Sequence, residues 1–128
     1  MSTPKSASPR VLVVDDDPAI SGMLVRALER NGFSADAAAS ADAALASAQD
    51  VDYAAAVIDL VMPGRNGVEL AIALRERLPG LCVAVLTGYP NSPLIKEAEA
   101  AGARAFAKPV PIEELVGYLE TELPARSR

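Results

Sequence analysis

Apolar and polar positions along the chain switch back and forth between two periods. Residues 10–14, RVLVV, form a short continuous apolar run rich in β-branched residues, the pattern of a strand buried on both faces. Asp17 follows as a helix N-cap with Pro18 at the first helical position. Ile20, Met23, Leu24, Ala27 and Leu28 then recur at helical spacing on one face until Gly32 ends the helix. Residues 33–38 read as a weaker, alanine-rich strand, and Ser40 caps a short helix to about Ala48. Residues 54–59 make a third strand. Asn66 caps the next helix with Glu69 three positions on, the capping-box spacing, and this helix runs to about Arg77 ahead of Pro79-Gly80. Residues 81–86 are the clearest strand. Ser92-Pro93 opens a fourth helix that stops at Gly102, and residues 103–107 form a short fifth strand. Pro111 opens a last helix with an apolar stripe of Ile112, Leu115, Val116 and Leu119.

Apolar strands alternating with helices imply a parallel sheet covered on both faces, an α/β fold of (βα)5 type. Right-handed crossovers leave few doubly wound orders, and for five strands the flavodoxin-like order 2-1-3-4-5 is the expected one. Residues 10–123 make one domain, between an N-terminal tail at 1–9 and a C-terminal tail at 124–128. In such a sheet ligands bind at the carboxyl ends of the strands, where the winding reverses between the first and third.

Composition narrows the chemistry. The net charge of −5 offers no basic face for nucleic acid. No apolar run reaches the ~18 residues that span a bilayer, and residues 1–10 lack the apolar core of a signal peptide, so the cytoplasm is the expected compartment. Cys82 is the sole cysteine, which excludes an internal disulfide and points to a buried structural thiol. The sequence has no histidine, so catalytic triads, histidine bases and histidine metal sites are excluded. A metal would sit on oxygen ligands, as Mg²⁺, Mn²⁺ or Ca²⁺ do.

The predicted strand ends carry the chemistry. Strand one ends at Asp15-Asp16-Asp17, strand three at Asp59, strand four at Thr87-Gly88 and strand five at Lys108-Pro109, whereas the second, near Ala38, is bland. Singly, each has an ordinary explanation: acids cap helices, threonine suits strands, and a lysine before proline enters a turn. Asp59 is harder to dismiss, because a lone carboxylate among Val57, Ile58 and Leu60 costs several kcal/mol or shifts its pKa. The ordinary explanations do not gather all these groups at one edge. Together, three carboxylates repel one another and call for a divalent cation, with Mg²⁺ suited to a shallow site of carboxylates and a phosphate oxygen. One carboxylate could then attack a phosphoryl donor, Asp59 being central, with Lys108 and Thr87 left to contact the transferred group.

At this point the chain resembles the receiver domain of two-component response regulators, of the chemotaxis-regulator type. The resemblance covers roughly residues 10–123 and rests on "VLVVDDDP", "IDLVMPGRNGVEL", "VLTGY", "AGA" and "KP" in that order. It implies that Asp59 is the phosphoacceptor and that Asp15 and Asp16 bind Mg²⁺, or Mn²⁺, with Asp59 and the Val61 backbone carbonyl. It also implies that Thr87 is the switch hydroxyl and Lys108 the phosphate-pairing lysine. Asp17 has no family metal role, and N-capping suffices for it. The implied phosphoryl source is a sensor histidine kinase or phosphotransfer protein. The output is a downstream protein target docking on the face of helix 4, strand 5 and helix 5, the protein being a monomer or a weak homodimer through that face. The implied role is a switch that promotes its own phosphorylation and dephosphorylation rather than an enzyme. Val61 and Tyr89 flank the path of hydrolytic water in the family, and a branched apolar residue and an aromatic there imply slow self-dephosphorylation.

One departure concerns the family's aromatic switch residue, three positions before the lysine. Here that position is Ala105, and Phe106 is two before, in a segment from Gly102 to Lys108 one residue shorter than usual. One slip along a strand reverses the face a side chain uses, so Phe106 as the switch aromatic and Phe106 as a packed core ring are both open from sequence. Rival readings are a haloacid-dehalogenase-like phosphatase using Asp15 and Asp17, a flavodoxin-like FMN carrier, and a non-phosphorylated pseudo-receiver interaction module. The first leaves Asp59 unexplained and lacks a late acidic pair. The second lacks a phosphate-holding loop, because "DDDP" repels phosphate. The third leaves the set of charged and hydroxyl residues at one edge without a use.

Overall fold

The computed structural model describes residues 8–126. The elements are β1 (Arg10–Val14), α1 (Pro18–Arg30), β2 (Ser34–Ala38), α2 (Ala41–Asp50), β3 (Ala55–Asp59), α3 (Gly67–Arg77), β4 (Cys82–Thr87), α4 (Pro93–Ala100), β5 (Arg104–Ala107) and α5 (Ile112–Arg126). The strands form one parallel sheet in the order β2-β1-β3-β4-β5, as expected for the flavodoxin-like winding.

Alternation along the strands builds two cores. Leu12, Val14, Ala56, Ile58, Val83 and Val85 face α2, α3 and α4. Val11, Val13, Val57, Ala84 and Leu86 face α1 and α5 through Leu24, Leu28, Leu115 and Leu119. Helices α1 to α4 each start where a side chain satisfies one of the first free N–H groups. Asp17 accepts from Ala19 N, Ser40 from Ala43 N and Ser92 from Leu94 N. The Asn66/Glu69 capping box is complete. Two arginines at the end of α3 bond nearby carbonyls: Arg75 reaches Leu81 O, just before β4, at 3.1 Å and Ala101 O, after α4, at 2.8 Å, and Arg77 reaches Ala48 O near the end of α2 at 3.0 Å.

Two expectations need correction. Met23 is exposed, because the buried stripe of α1 is centred on Ser21, Leu24 and Leu28 and leaves Met23 beyond its edge. Helix α5 continues to Arg126 where a tail was expected from residue 124. Pro124 removes a single N–H from the last turn, no glycine follows Leu123 as a stop, and Ala125 and Arg126 are good helix formers. The remaining tail residues, 1–7 and 127–128, lie outside the described residues.

Away from the strand ends, Tyr53 is buried and donates to Asp36 Oδ2 at 2.9 Å, while Arg10 pairs with the same carboxylate at 3.1 Å. Burial first, then the Asp36 carboxylate, pushes the Tyr53 phenol up to about 12. An unfolded tyrosine ionises near pH 10, so above that pH the unfolded chain holds fewer protons than the native one and stability falls. Tyr53→Phe is expected to flatten this alkaline loss between about pH 10 and 12 by about 2 kcal/mol, read from urea midpoints against pH. An unchanged alkaline slope would contradict it.

Candidate functional site

Strand register builds the site. Val14 pairs with Ile58, Asp59 with Leu86 and Thr87 with Ala107, so the residues at each of these ends fall at one level. The backbone keeps that level beyond the strands: Leu60 N donates to Leu86 O at 2.9 Å and Lys108 N to Thr87 O at 2.8 Å. Asp15, Asp59 and Thr87 are buried there, Lys108 is half-buried and Asp16 is exposed.

The Lys108 ammonium lies 3.1 Å from Asp59 Oδ2 and 3.5 Å from Asp15 Oδ2. The other oxygens of the two carboxylates accept backbone N–H groups, Asp15 Oδ1 from Asp17 at 2.9 Å and Asp59 Oδ1 from Val61 at 3.2 Å. One carboxylate oxygen from each of Asp15, Asp16 and Asp59 lies within 4.8 Å of the others. A pocket of about 380 Å³ opens in front, lined by Asp59, Val61, Gly88, Tyr89 and Lys108. Thr87 Oγ1 accepts from Tyr89 N at 2.9 Å and donates to Tyr89 O at 3.3 Å, so its hydroxyl is tied to the backbone of the next loop.

The electrostatics are unbalanced. Burial raises the pKa of Asp15, against the Asp17 N–H and the Lys108 charge that lower it, and the nearby Asp59 adds to the rise. Burial opposes the Lys108 charge, but the hydrogen bond and charge of Asp59, helped by Asp15, outweigh it and hold its pKa above the ordinary lysine value. Three carboxylates face one ammonium, and their oxygens lie close enough to share a small divalent cation. The donor set therefore fits Mg²⁺.

Most of the residues picked from the strand ends come together. Asp17 stands apart, exposed, with its Oδ1 on Ala19 N, which is capping. Phe106 also lies elsewhere. It is buried on the α1/α5 side, with its ring centroid 5.7 Å from that of Tyr118 and Arg104 over both rings. Ala105, three before Lys108, packs on the opposite, α4 side. Of the two roles open for Phe106, the packed core ring is the one this geometry fits; its parity along β5 points it at α5.

Gly67 was not singled out from sequence. It begins α3 against the end of β3, and a Cβ there would lie 2.7 Å from Asp59 O and 2.8 Å from Leu60 Cα. A weak signal existed, since glycine is a poor helix former and here occupies the first turn of a capped helix.

Residues 11–120 match the response regulator receiver domain family. Photosynthetic apparatus regulatory protein RegA of Rhodobacter capsulatus is 38% identical over 110 residues, which are 85% of this chain and 60% of that protein. This chain thus spans less than two thirds of that curated relative. The chemotaxis protein CheY4 of Vibrio cholerae superposes with a TM-score of 0.83 at 30% identity, over 91% of this chain and all of that one. A response regulator of Burkholderia pseudomallei, whose structure holds a phosphorylated aspartic acid and a calcium ion, gives 0.80 at 30% identity over 91% of this chain and 66% of its own. Fold order, acidic edge and sequence match agree, and the chain belongs to the response regulator receiver domains of two-component signalling.

Proposed function

We propose that Asp59 accepts a phosphoryl group from a sensor histidine kinase or phosphotransfer protein, and that the modified site switches a protein-binding surface. The family consists of signalling switches that bind Mg²⁺ in an acidic pocket and interact with histidine kinases or phosphotransfer proteins and with downstream targets. The observation that carries the reading is the Lys108 ammonium 3.1 Å from Asp59 Oδ2 at the pocket wall, beside two further carboxylates. The phosphorylated aspartate and cation of the Burkholderia relative support it.

An Asp59 carboxylate oxygen attacks phosphorus. An O–P bond forms as the donor's P–N bond breaks, and the leaving imidazole keeps the nitrogen electron pair and takes up a proton. Mg²⁺, or Mn²⁺, held by Asp15, Asp16, Asp59 and the Val61 carbonyl, would neutralise charge on the phosphoryl oxygens. Lys108 already sits on the nucleophile and follows the charge onto the new phosphate. The added −1.5 to −2 charge, roughly, draws the Thr87 hydroxyl from the Tyr89 backbone. The loop at residues 88–91 moves with it and carries the change to α4, β5 and α5. That face is the proposed docking surface for a downstream protein or a weak homodimer. The unit is residues 10–126, from the start of β1 to the end of α5, acting in the cytoplasm. Among the described residues, no helix is long and apolar enough to cross a membrane.

Phosphotransfer profiling against purified kinases, with the site of label mapped, tests this assignment; label arriving on a residue other than Asp59 would refute it. Val61 and Tyr89 both line the pocket mouth and are exposed enough to obstruct a water approaching the acyl phosphate. The label is therefore expected to persist for minutes or longer with Mg²⁺, and Tyr89→Ala is expected to shorten its life. Loss of label from the native protein within seconds would contradict this.

A further inference from the structure

Asp59, Leu60 and Val61 carry the phosphoacceptor and a proposed metal-ligating carbonyl, yet they leave the sheet at the end of β3. They are held from two sides. On one, Leu60 N continues the β3–β4 ladder to Leu86 O at 2.9 Å. On the other, the first turn of α3 presses directly on the chain. Gly67 N donates to Leu60 O at 2.9 Å, and a Cβ at Gly67 would meet Asp59 O at 2.7 Å, Leu60 Cα at 2.8 Å and Asp59 C at 3.2 Å. All three are backbone atoms, so no side-chain rotation could relieve the contact. The Asn66/Glu69 capping box begins the same helix, but the close approach itself is made at Gly67 alone.

We infer that Gly67 is a positioning residue for the phosphoryl-transfer site: its missing side chain lets α3 seat the Asp59–Val61 backbone where the carboxylate and the Val61 carbonyl can share one cation. The inference rests on the reading of Asp59 as phosphoacceptor. A methyl group at residue 67 drives α3 and the Asp59–Val61 segment apart. The Asp59 carboxylate, bonded to Val61 N, then shifts relative to Asp15 and Lys108, which belong to other strands. Displacements well under a bond length matter at such a site, because the reacting atoms must meet in line.

The test compares Gly67→Ala with Asn66→Ala in the whole chain. Asn66→Ala removes a cap bond from the same helix end and keeps the close approach. Gly67→Ala is expected to slow labelling by acetyl phosphate about tenfold or more and to weaken Mg²⁺ half-saturation, read by NMR titration, by a similar factor. Asn66→Ala is expected to lower the melting temperature and leave both unchanged. Native labelling and Mg²⁺ binding in folded Gly67→Ala would overturn the inference, as would equal losses in Asn66→Ala. If Gly67→Ala does not fold, the native protein decides. Mg²⁺ with beryllofluoride is expected to slow amide exchange at Gly67 relative to Leu70 and Leu74 of the same helix, and unaltered relative exchange overturns the inference. If the native protein binds Mg²⁺ but takes no label, the phosphoacceptor reading fails while the Mg²⁺ titration still reports on Gly67.

Discussion

Asp59→Asn is expected to abolish phosphoryl labelling, a drop of at least about 10²-fold, because an amide oxygen is no nucleophile. The substitution is close to isosteric, and the amide oxygen can still accept the Val61 N–H that Asp59 Oδ1 accepts at 3.2 Å. Loss of label would therefore report the lost nucleophile and not a lost fold. The other two acids are poor substitutes. Asp15 is buried with Oδ1 committed to Asp17 N, and neither Asp15 nor Asp16 lines the pocket that Asp59 faces. The measurement is intact mass after acetyl phosphate with Mg²⁺, followed by peptide mapping. Native-rate labelling of Asp59→Asn would sink the assignment. A second readout follows from Lys108. Its pKa is held up against burial mainly by Asp59, so the pair stabilises the fold below the ordinary lysine value and that stability is lost as pH rises through the raised one. Asp59→Asn should shrink this alkaline loss.

How far the sequence carried these residues depends on the kind of constraint acting on each. Asp15, Asp59 and Lys108 were legible because each ends an apolar run, and parallel strands of similar length bring their ends to one edge. The Asn66/Glu69 box was legible because its three-residue spacing is local. Gly67 carries no such pattern. Its constraint comes from a helix and a strand end meeting at 2.7–2.8 Å, which only the assembled fold displays. Phe106 fell between the two. Strand alternation would have placed it, but the shortened segment before Lys108 left open which residues alternated, and only the observed pairing of Leu86 with Phe106 put the ring on the α5 side. Met23 failed for a similar reason. Several apolar residues fit a helical stripe, and packing against the sheet chose the stripe through Leu24 and Leu28.

Asp15→Asn is expected to shift stability in opposite directions with and without Mg²⁺. In chelated protein, Asp15 is 1% exposed in a cluster where three carboxylates meet one ammonium. Burial raises its pKa despite the Asp17 N–H and Lys108. A carboxyl whose folded pKa lies above its unfolded value keeps its proton longer in the native state. Stability therefore falls as pH rises through that window. A neutral side chain escapes it, so in EDTA at pH 7 Asp15→Asn is expected to melt higher than the native protein. The advantage should close as pH falls toward the ordinary carboxylate range, where Asp15 itself becomes neutral. With Mg²⁺ the order reverses. The cation stabilises the native chain as the logarithm of one plus its free concentration over its Kd, and the variant, one anionic ligand short, binds it at least about tenfold more weakly. Thermal unfolding in EDTA and across a Mg²⁺ series should show the two melting curves crossing. A variant less stable than the native protein in EDTA would mean that the Lys108 pairing outweighs the burial of Asp15. A native protein whose melting ignores Mg²⁺ would remove the acidic cluster as a cation site.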